Sequence, residues 1–183
     1  EQRDSVAEWR QIGLGVMGLA DMLIKLRVKY GSATSRSVLE SIGHELIMTA
    51  LETSSMLAAN YGPYPKFNRD CVIQTPFFKN LDSGDMNDLR FQSLHDVICK
   101  YGLRNSQLLT CAPTGSIATM LGVSTGCEPI FATSYTRKTE SLVNEEKYYK
   151  VYTPIIKKLI DEGFSEEALP EYVVTSEQIP YRE

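Results

Sequence analysis

Apolar residues recur near the start of the chain at spacings of three and four: Val6, Trp9, Ile12, Val16, Leu19, Leu23 and Leu26. That interval lays them along one face of a helix, so the pattern predicts a helix passing straight through Gly13, Gly15 and Gly18. Tyr30-Gly31-Ser32 breaks it, and Ser32, Thr34 and Ser35 are candidate N-caps for the next helix. Leu39, Gly43, Leu46, Ala50, Thr53 and Leu57 mark a second stripe, whose small residues suit close packing. Asn60-Tyr61-Gly62-Pro63-Tyr64-Pro65 ends it, because proline has no N–H to continue the ladder. The stretch from Thr75 to Asp88 reads as a polar loop, and a third helix is predicted from Asn87 to Lys100, stopped by Tyr101-Gly102.

The period changes further on. Leu108-Leu109-Thr110-Cys111-Ala112 is a short, nearly continuous apolar run closed by Pro113, which predicts a strand buried on both faces, as in a parallel sheet or barrel. Ile117 to Leu121 reads as a short helix and Ile130 to Tyr135 as another strand. Asn144 to Glu162 reads as an amphipathic helix carrying Tyr148, Tyr149, Tyr152, Ile155, Ile156 and Leu159, with Pro154 awkwardly inside it; its tyrosines read as packing residues. The mixture is α/β with helices dominant. No repeat, low-complexity tract or Gly/Ser linker interrupts the chain, and 183 residues suit one ordinary domain, so 1–183 reads as a single segment.

Composition narrows the function classes. A hydrophobic fraction of 43% with 23% charged residues excludes a disordered or fibrous chain. The net charge of −4 argues against a nucleic-acid partner held by phosphate neutralisation. The most apolar stretch, Leu14 to Leu26, carries Asp21 and Lys25, so no membrane span is expected. The chain opens on Glu1-Gln2-Arg3-Asp4 without a signal-peptide pattern or initiator Met, and stops at Pro180-Tyr181-Arg182-Glu183. These features predict a piece of a longer cytoplasmic protein. Its four cysteines, Cys71, Cys99, Cys111 and Cys127, show neither C-x-x-C nor metal spacing, and read as small buried hydrophobes in a reducing compartment.

Two motifs invite chemistry. Gly13-Leu14-Gly15-Val16-Met17-Gly18 matches the dinucleotide fingerprint G-x-G-x-x-G, which requires a preceding strand and a following helix. Ala7-Glu8-Trp9-Arg10-Gln11 offers no apolar strand, so a closely packed glycine-containing helix accounts for the block better than a nicotinamide site. The second motif is Pro113-Thr114-Gly115-Ser116, between the predicted strand and a helix. Such a turn gathers free backbone N–H groups, the positive end of a helix dipole and two hydroxyls around one point. Gly115 lets the backbone approach an anion, and the absence of Gly-Lys-Ser/Thr separates it from a Walker loop. Helix capping alone explains Thr114 and Ser116 equally well.

With these residues in view, the chain resembles the large (α) subunit of ribonucleotide reductase up to about Lys138. Four blocks carry the resemblance: Arg10 to Asp21 (RQIGLGVMGLAD), Gly102 to Ser106 (GLRNS), Ala112 to Ala118 (APTGSIA) and Gly126 to Phe131 (GCEPIF). The resemblance implies part, the C-terminal half, of a ten-stranded α/β barrel, with the glycine-rich block helical. It implies that Pro113, Thr114, Gly115, Ser116 and Ile117 bind the diphosphate of a ribonucleoside diphosphate substrate. The parent would make deoxyribonucleotides by thiyl-radical chemistry, take electrons from a thioredoxin-type reductant and form a homodimer. The Pro-Thr-Gly-Ser form is closer to the adenosylcobalamin-dependent class than to the di-iron class, which implies adenosylcobalamin in the parent and no cofactor on this chain alone.

The family's catalytic motif Asn-x-Cys-x-Glu is absent, so no catalytic residue is expected here and an isolated segment should be inactive. Two rival functions stand beside this reading: a nicotinamide oxidoreductase using Gly13 to Gly18, and a helical interaction module without a small-molecule site. His44 lacks the second histidine of H-E-x-x-H and pairs with Glu40 at helical spacing; His95 has no metal-ligating company. Arg104 and Asn105 read as structural, and Arg137-Lys138 as a solvated face.

Overall fold

The first predicted helix is two helices. In the computed structural model, which describes residues 1–82, 88–140 and 146–179, α1 covers Gln2–Trp9 and α2 covers Leu19–Lys25, and the glycine-rich block between them is not helical. Three glycines in six residues make a costly helix interior, at about 1 kcal/mol each relative to alanine. A parallel ladder takes the backbone bonds instead. Ile12 N–H donates to Gln107 O at 3.0 Å, Leu14 N–H to Leu108 O at 3.0 Å and Thr110 N–H to Leu14 O at 2.9 Å. Close approach explains Gly13, where a Cβ would lie 3.0 Å from Thr110 Cγ2. Gly18 opens α2 with φ +76° and would put a Cβ 3.5 Å from Val123. Helix α1, not a strand, leads into the glycines, as expected for a block that is not a dinucleotide site, and Gly13 and Gly18 are used for packing.

Residues assort into two compact units, Glu1–Leu14 with Leu39–Thr110 and Gly15–Val38 with Cys111–Glu183. The first unit is helical. The long helix α3, Ala33–Tyr61, enters this unit at Leu39; it starts where Ser32 Oγ accepts the Ser35 N–H at 3.1 Å and stops at Gly62, with φ +78°, before Pro63. Its buried line runs through Met48, Leu51, Ser54, Ser55 and Ala58 rather than the predicted stripe, of which Thr53 is exposed and Leu46, Ala50 and Leu57 are half-buried. Ser54 explains the rotation. Its Oγ accepts the Arg104 and Asn105 N–H groups, both at 3.1 Å, and donates to Asn105 Oδ1 at 3.2 Å. Arg104 Nη1 donates to the Tyr61 and Gly62 carbonyls and Asn105 Nδ2 to Arg10 O, so both residues are structural, as expected.

Part of the predicted polar loop is ordered and apolar. After α4 (Arg69–Ile73), α5 (Pro76–Lys79) begins where Thr75 Oγ1 accepts the Phe78 N–H at 3.1 Å, and Phe78 is buried. Residues 83–87 lie outside the described residues, including the predicted helix start at Asn87; α6 covers Leu89–Tyr101, capped by Asp88. The core of this unit joins Met48, Leu51, Tyr64, Phe78, Leu81, Leu94, Ile98 and Leu103. The run from Leu108 is half-buried at Leu108 and Leu109 and exposed at Thr110 and Cys111, not buried on both faces.

The second unit holds α2, α7 (Gly115–Leu121), the antiparallel hairpin of β1 (Ser134–Glu140) and β2 (Glu146–Tyr152), and α8 (Pro154–Asp161). Two short 3₁₀ turns follow, at Glu166–Ala168 and Ser176–Gln178. The long amphipathic helix predicted from Asn144 does not form: 144 and 145 lie outside the described residues, and 146–152 are strand. Pro154 decides the break, since it sits at the first helical position, where its missing N–H costs nothing. Tyr148 and Tyr149 are largely exposed on the strand rather than on a helix face, and Tyr152 donates to Glu166 Oε2 at 2.6 Å. Ile130 is buried and bridges Thr175, and the predicted strand forms only from Ser134. Ala20, Ile24, Ile130, Ile155, Ile156, Leu159 and Val173 make this core. Among the described residues the hairpin is the only sheet, with two isolated bridges beside it, so a ten-stranded barrel is not visible in this chain.

Gly102 has φ +78°, and a Cβ there would meet Pro63 at 2.9 Å and the Phe67 ring at 3.0 Å. Gly102→Ala is expected to cost about 1–3 kcal/mol in urea denaturation, from strain and overpacking together. Gly43→Ala, where a Cβ meets open space inside a helix, should be neutral or stabilising.

Candidate functional site

The Pro113 turn is built around a residue in an uncommon conformation. Thr114 has φ 52° and ψ 22°, the left-handed region, which a β-branched residue enters only under constraint. Two bonds hold it: Thr114 Oγ1 accepts the Gly126 N–H at 2.8 Å, and Thr114 O accepts the Ala118 N–H at 2.8 Å. Gly126 is itself buried at φ +43°, and a Cβ there would strike Ala112 O at 2.8 Å. Only glycine lets the two backbone segments approach this closely.

Behind Gly126 stands α2. Gly18 N–H donates to Ser124 O at 2.8 Å, Asp21 N–H to Ser124 Oγ at 3.4 Å, and Ser124 N–H to Asp21 Oδ2 at 3.2 Å. Asp21 and Ser124 are both buried, and Asp21 Oδ1 has no hydrogen-bond partner. Burial pushes the Asp21 carboxyl above the ordinary aspartate range, while the Ser124 N–H pulls it partly back. Tyr30 O–H donates to Cys127 O at 2.5 Å, fixing the next residue of the same segment.

On the open side, no side chain caps α7. Its leading N–H groups, on Gly115, Ser116 and Ile117, belong to exposed residues, and a Cβ on Gly115 would meet open space. Pro113 and Ser116 are also exposed, whereas Thr114 is half-buried. The structure thus brings all five predicted residues to one bend but gives them different work. Of the two hydroxyls, Thr114 Oγ1 is taken up in bracing the turn, and Ser116 belongs to an exposed residue. No sequence pattern announced that brace; Gly126 stood out only as the first residue of a resemblance block.

The other candidates resolve as structural. His44 Nε2 lies 3.4 Å from Leu81 O rather than pairing visibly with Glu40, and His95 Nδ1 is 3.5 Å from Asp96 Oδ1 and 3.9 Å from Cys99 Sγ. Among the described residues no three metal-ligating side chains gather. Arg137 and Lys138 are exposed on β1. The cysteines depart from expectation: Cys71 and Cys111 are exposed, Cys99 and Cys127 half-buried.

Because the Asp21 carboxyl is raised, the folded state binds more protons than the unfolded one above the ordinary aspartate value of 3.8. Stability should therefore fall as pH rises through that window, and Asp21→Asn should remove this component of the slope. Urea denaturation of both proteins from pH 4 to pH 7 measures it.

The chain matches the family described as "Ribonucleotide reductase, barrel domain" over residues 1–181. It is 29% identical over 182 residues to the ribonucleoside-diphosphate reductase large chain 2 of Saccharomyces cerevisiae, covering 96% of this chain and 20% of that protein. The large subunit of Danio rerio is 32% identical over 180 residues (95% and 22%), and that of Arabidopsis thaliana 34% over 169 (85% and 20%). The chain thus spans about a fifth of the length of these relatives. Similarity to eukaryotic large subunits lends no support to the adenosylcobalamin-dependent subclass. Matched almost from end to end, this chain belongs to the ribonucleotide reductase barrel-domain family.

Proposed function

We propose that this chain is the part of a ribonucleoside-diphosphate reductase large subunit that holds the substrate's diphosphate, through the turn from Pro113 to Ile117. The observation that carries the reading is the uncapped start of α7, on exposed residues, in a chain matched to the family across residues 1–181. The leading amides donate to phosphate oxygens, the Ser116 hydroxyl adds a donor, and the positive end of the local backbone dipole favours the anion. Thr114 does not reach for the ligand; its left-handed backbone, pinned to Gly126, aims the amides. Charge-assisted hydrogen bonds contribute about 1.5–3 kcal/mol each, so three hold a diphosphate without lysine. Holding the diphosphate positions the ribose for reaction.

Ribonucleotide reduction on this reading replaces the 2′-hydroxyl by hydrogen after a thiyl radical takes the 3′ hydrogen. Residues 1–183 contain no Asn-x-Cys-x-Glu, so on this reading the radical cysteine comes from elsewhere in the parent enzyme. The names of the relatives support a nucleoside diphosphate as substrate.

In the full-length reductase, Gly115→Asp should raise KM for the nucleotide roughly 10-fold to 100-fold, the loss of one charge-assisted bond plus repulsion, with a smaller effect on kcat. Gly115→Ala should fold normally, because its Cβ meets open space. Steady-state kinetics of the two variants decide it: an unchanged KM in the aspartate variant removes the turn from the binding site.

A further inference from the structure

We propose that Cys111 and Cys127 form a peroxide-reactive dithiol that closes to an intrachain disulfide at the neck of the Pro113 turn. Their sulfurs are 3.0 Å apart, with the Cys111 thiol donating to Cys127 Sγ. A disulfide needs about 2.05 Å, so closure asks for a movement of about 1 Å. The backbones beside them are already drawn together: Ala112 O packs on Gly126, and Thr114 Oγ1 holds the Gly126 N–H. Tyr30 anchors Cys127 from the other side through its carbonyl.

The two thiols differ in a way that orders the chemistry. Cys111 is exposed and meets the oxidant; Cys127 is half-buried, and its thiol is pushed up to about 11 by the hydrogen bond with Cys111, then by burial and neighbouring charge. Cys111 sulfur attacks hydrogen peroxide, the O–O bond breaks, one oxygen stays as the sulfenic acid and the other leaves as water. This step also removes the largest cause of the raised Cys127 value, the bond to the Cys111 thiol. Cys127 sulfur then attacks Cys111 sulfur, the S–O bond breaks, and the hydroxyl leaves as water with the Cys127 proton. Two thiols and one peroxide give one disulfide and two waters, and a small dithiol reverses the reaction by exchange. The ring so closed contains the whole turn and α7, and its formation stands whether or not the turn binds a diphosphate.

The sequence offers a convenient readout. No Lys or Arg lies between Asn105 and Arg137, so trypsin releases one peptide that carries both cysteines and excludes Cys71 and Cys99. The full chain is treated natively with hydrogen peroxide, alkylated with iodoacetamide, digested and analysed by mass spectrometry. The expected peptide has lost two hydrogens and taken up no alkyl group, while Cys71 is still alkylated; dithiothreitol restores two alkylation sites. Fragmentation separates this from oxygen added at the exposed Met120. In Cys127→Ser the loss of two hydrogens disappears and dimedone traps Cys111 as its sulfenic acid. Full alkylation of both Cys111 and Cys127 after peroxide that has consumed Cys71 overturns the proposal.

Discussion

A single hydrogen bond, from the Gly126 amide to the Thr114 hydroxyl, is what the candidate site depends on. It is the side-chain bond that holds a β-branched residue at φ 52°, beside the helical bond from the Ala118 amide to Thr114 O, and that conformation turns the backbone into α7 within one residue. The bond in turn requires Gly126, since any Cβ would collide with Ala112 O, and it requires a fixed 122–127 segment. Gly18, Asp21 and Tyr30 fix that segment by bonds to Ser124 and Cys127. Residues about a hundred positions away in sequence thus set the aim of the turn. The buried Asp21 oxygen without a partner is the cost of that arrangement.

The first unit uses the same device for a different end. Ser54, in the middle of a long helix, gives up exposure to satisfy the amides of Arg104 and Asn105, and Arg104 returns to cover the helix's last carbonyls. A buried serine is tolerated because its hydroxyl is used in full, accepting from the Asn105 amide and sharing the Arg104 amide with the Ser54 carbonyl. The consequence is a rotated α3, with Met48, Leu51 and Ala58 inside. In both units a short polar side chain connects distant segments, and in the first unit Arg90 of α6 adds ion pairs to Glu45 and Glu52 of α3.

Helix starts and stops were legible where one residue carries the signal. Ser32 as a cap, Gly62-Pro63 and Gly102 as stops, and the short helix at Ile117 all lie where local chemistry puts them. Periodicity misled where two structures share a spacing. Val6 to Leu26 has helical intervals, yet the glycines between are cheaper in a ladder with Gln107 to Thr110. The tyrosines from 148 to 152 fit a helical face, yet Pro154 is comfortable only as a first residue, which leaves them to pair with β1.

Read alone, the amino-acid order determined the family, through four short blocks, and singled out the bend at Pro113 to Ile117. These are local properties, carried by residue types and their neighbours along the chain. Which hydroxyl braces and which faces outward, and which thiols meet, only the tertiary structure decided. Thr114 and Ser116 are equivalent in a sequence, and so are Cys111 and Cys127; contacts between positions 12 and 16 residues apart separate them. Such contacts depend on the path of the intervening chain, and that path is set by packing that no local pattern records.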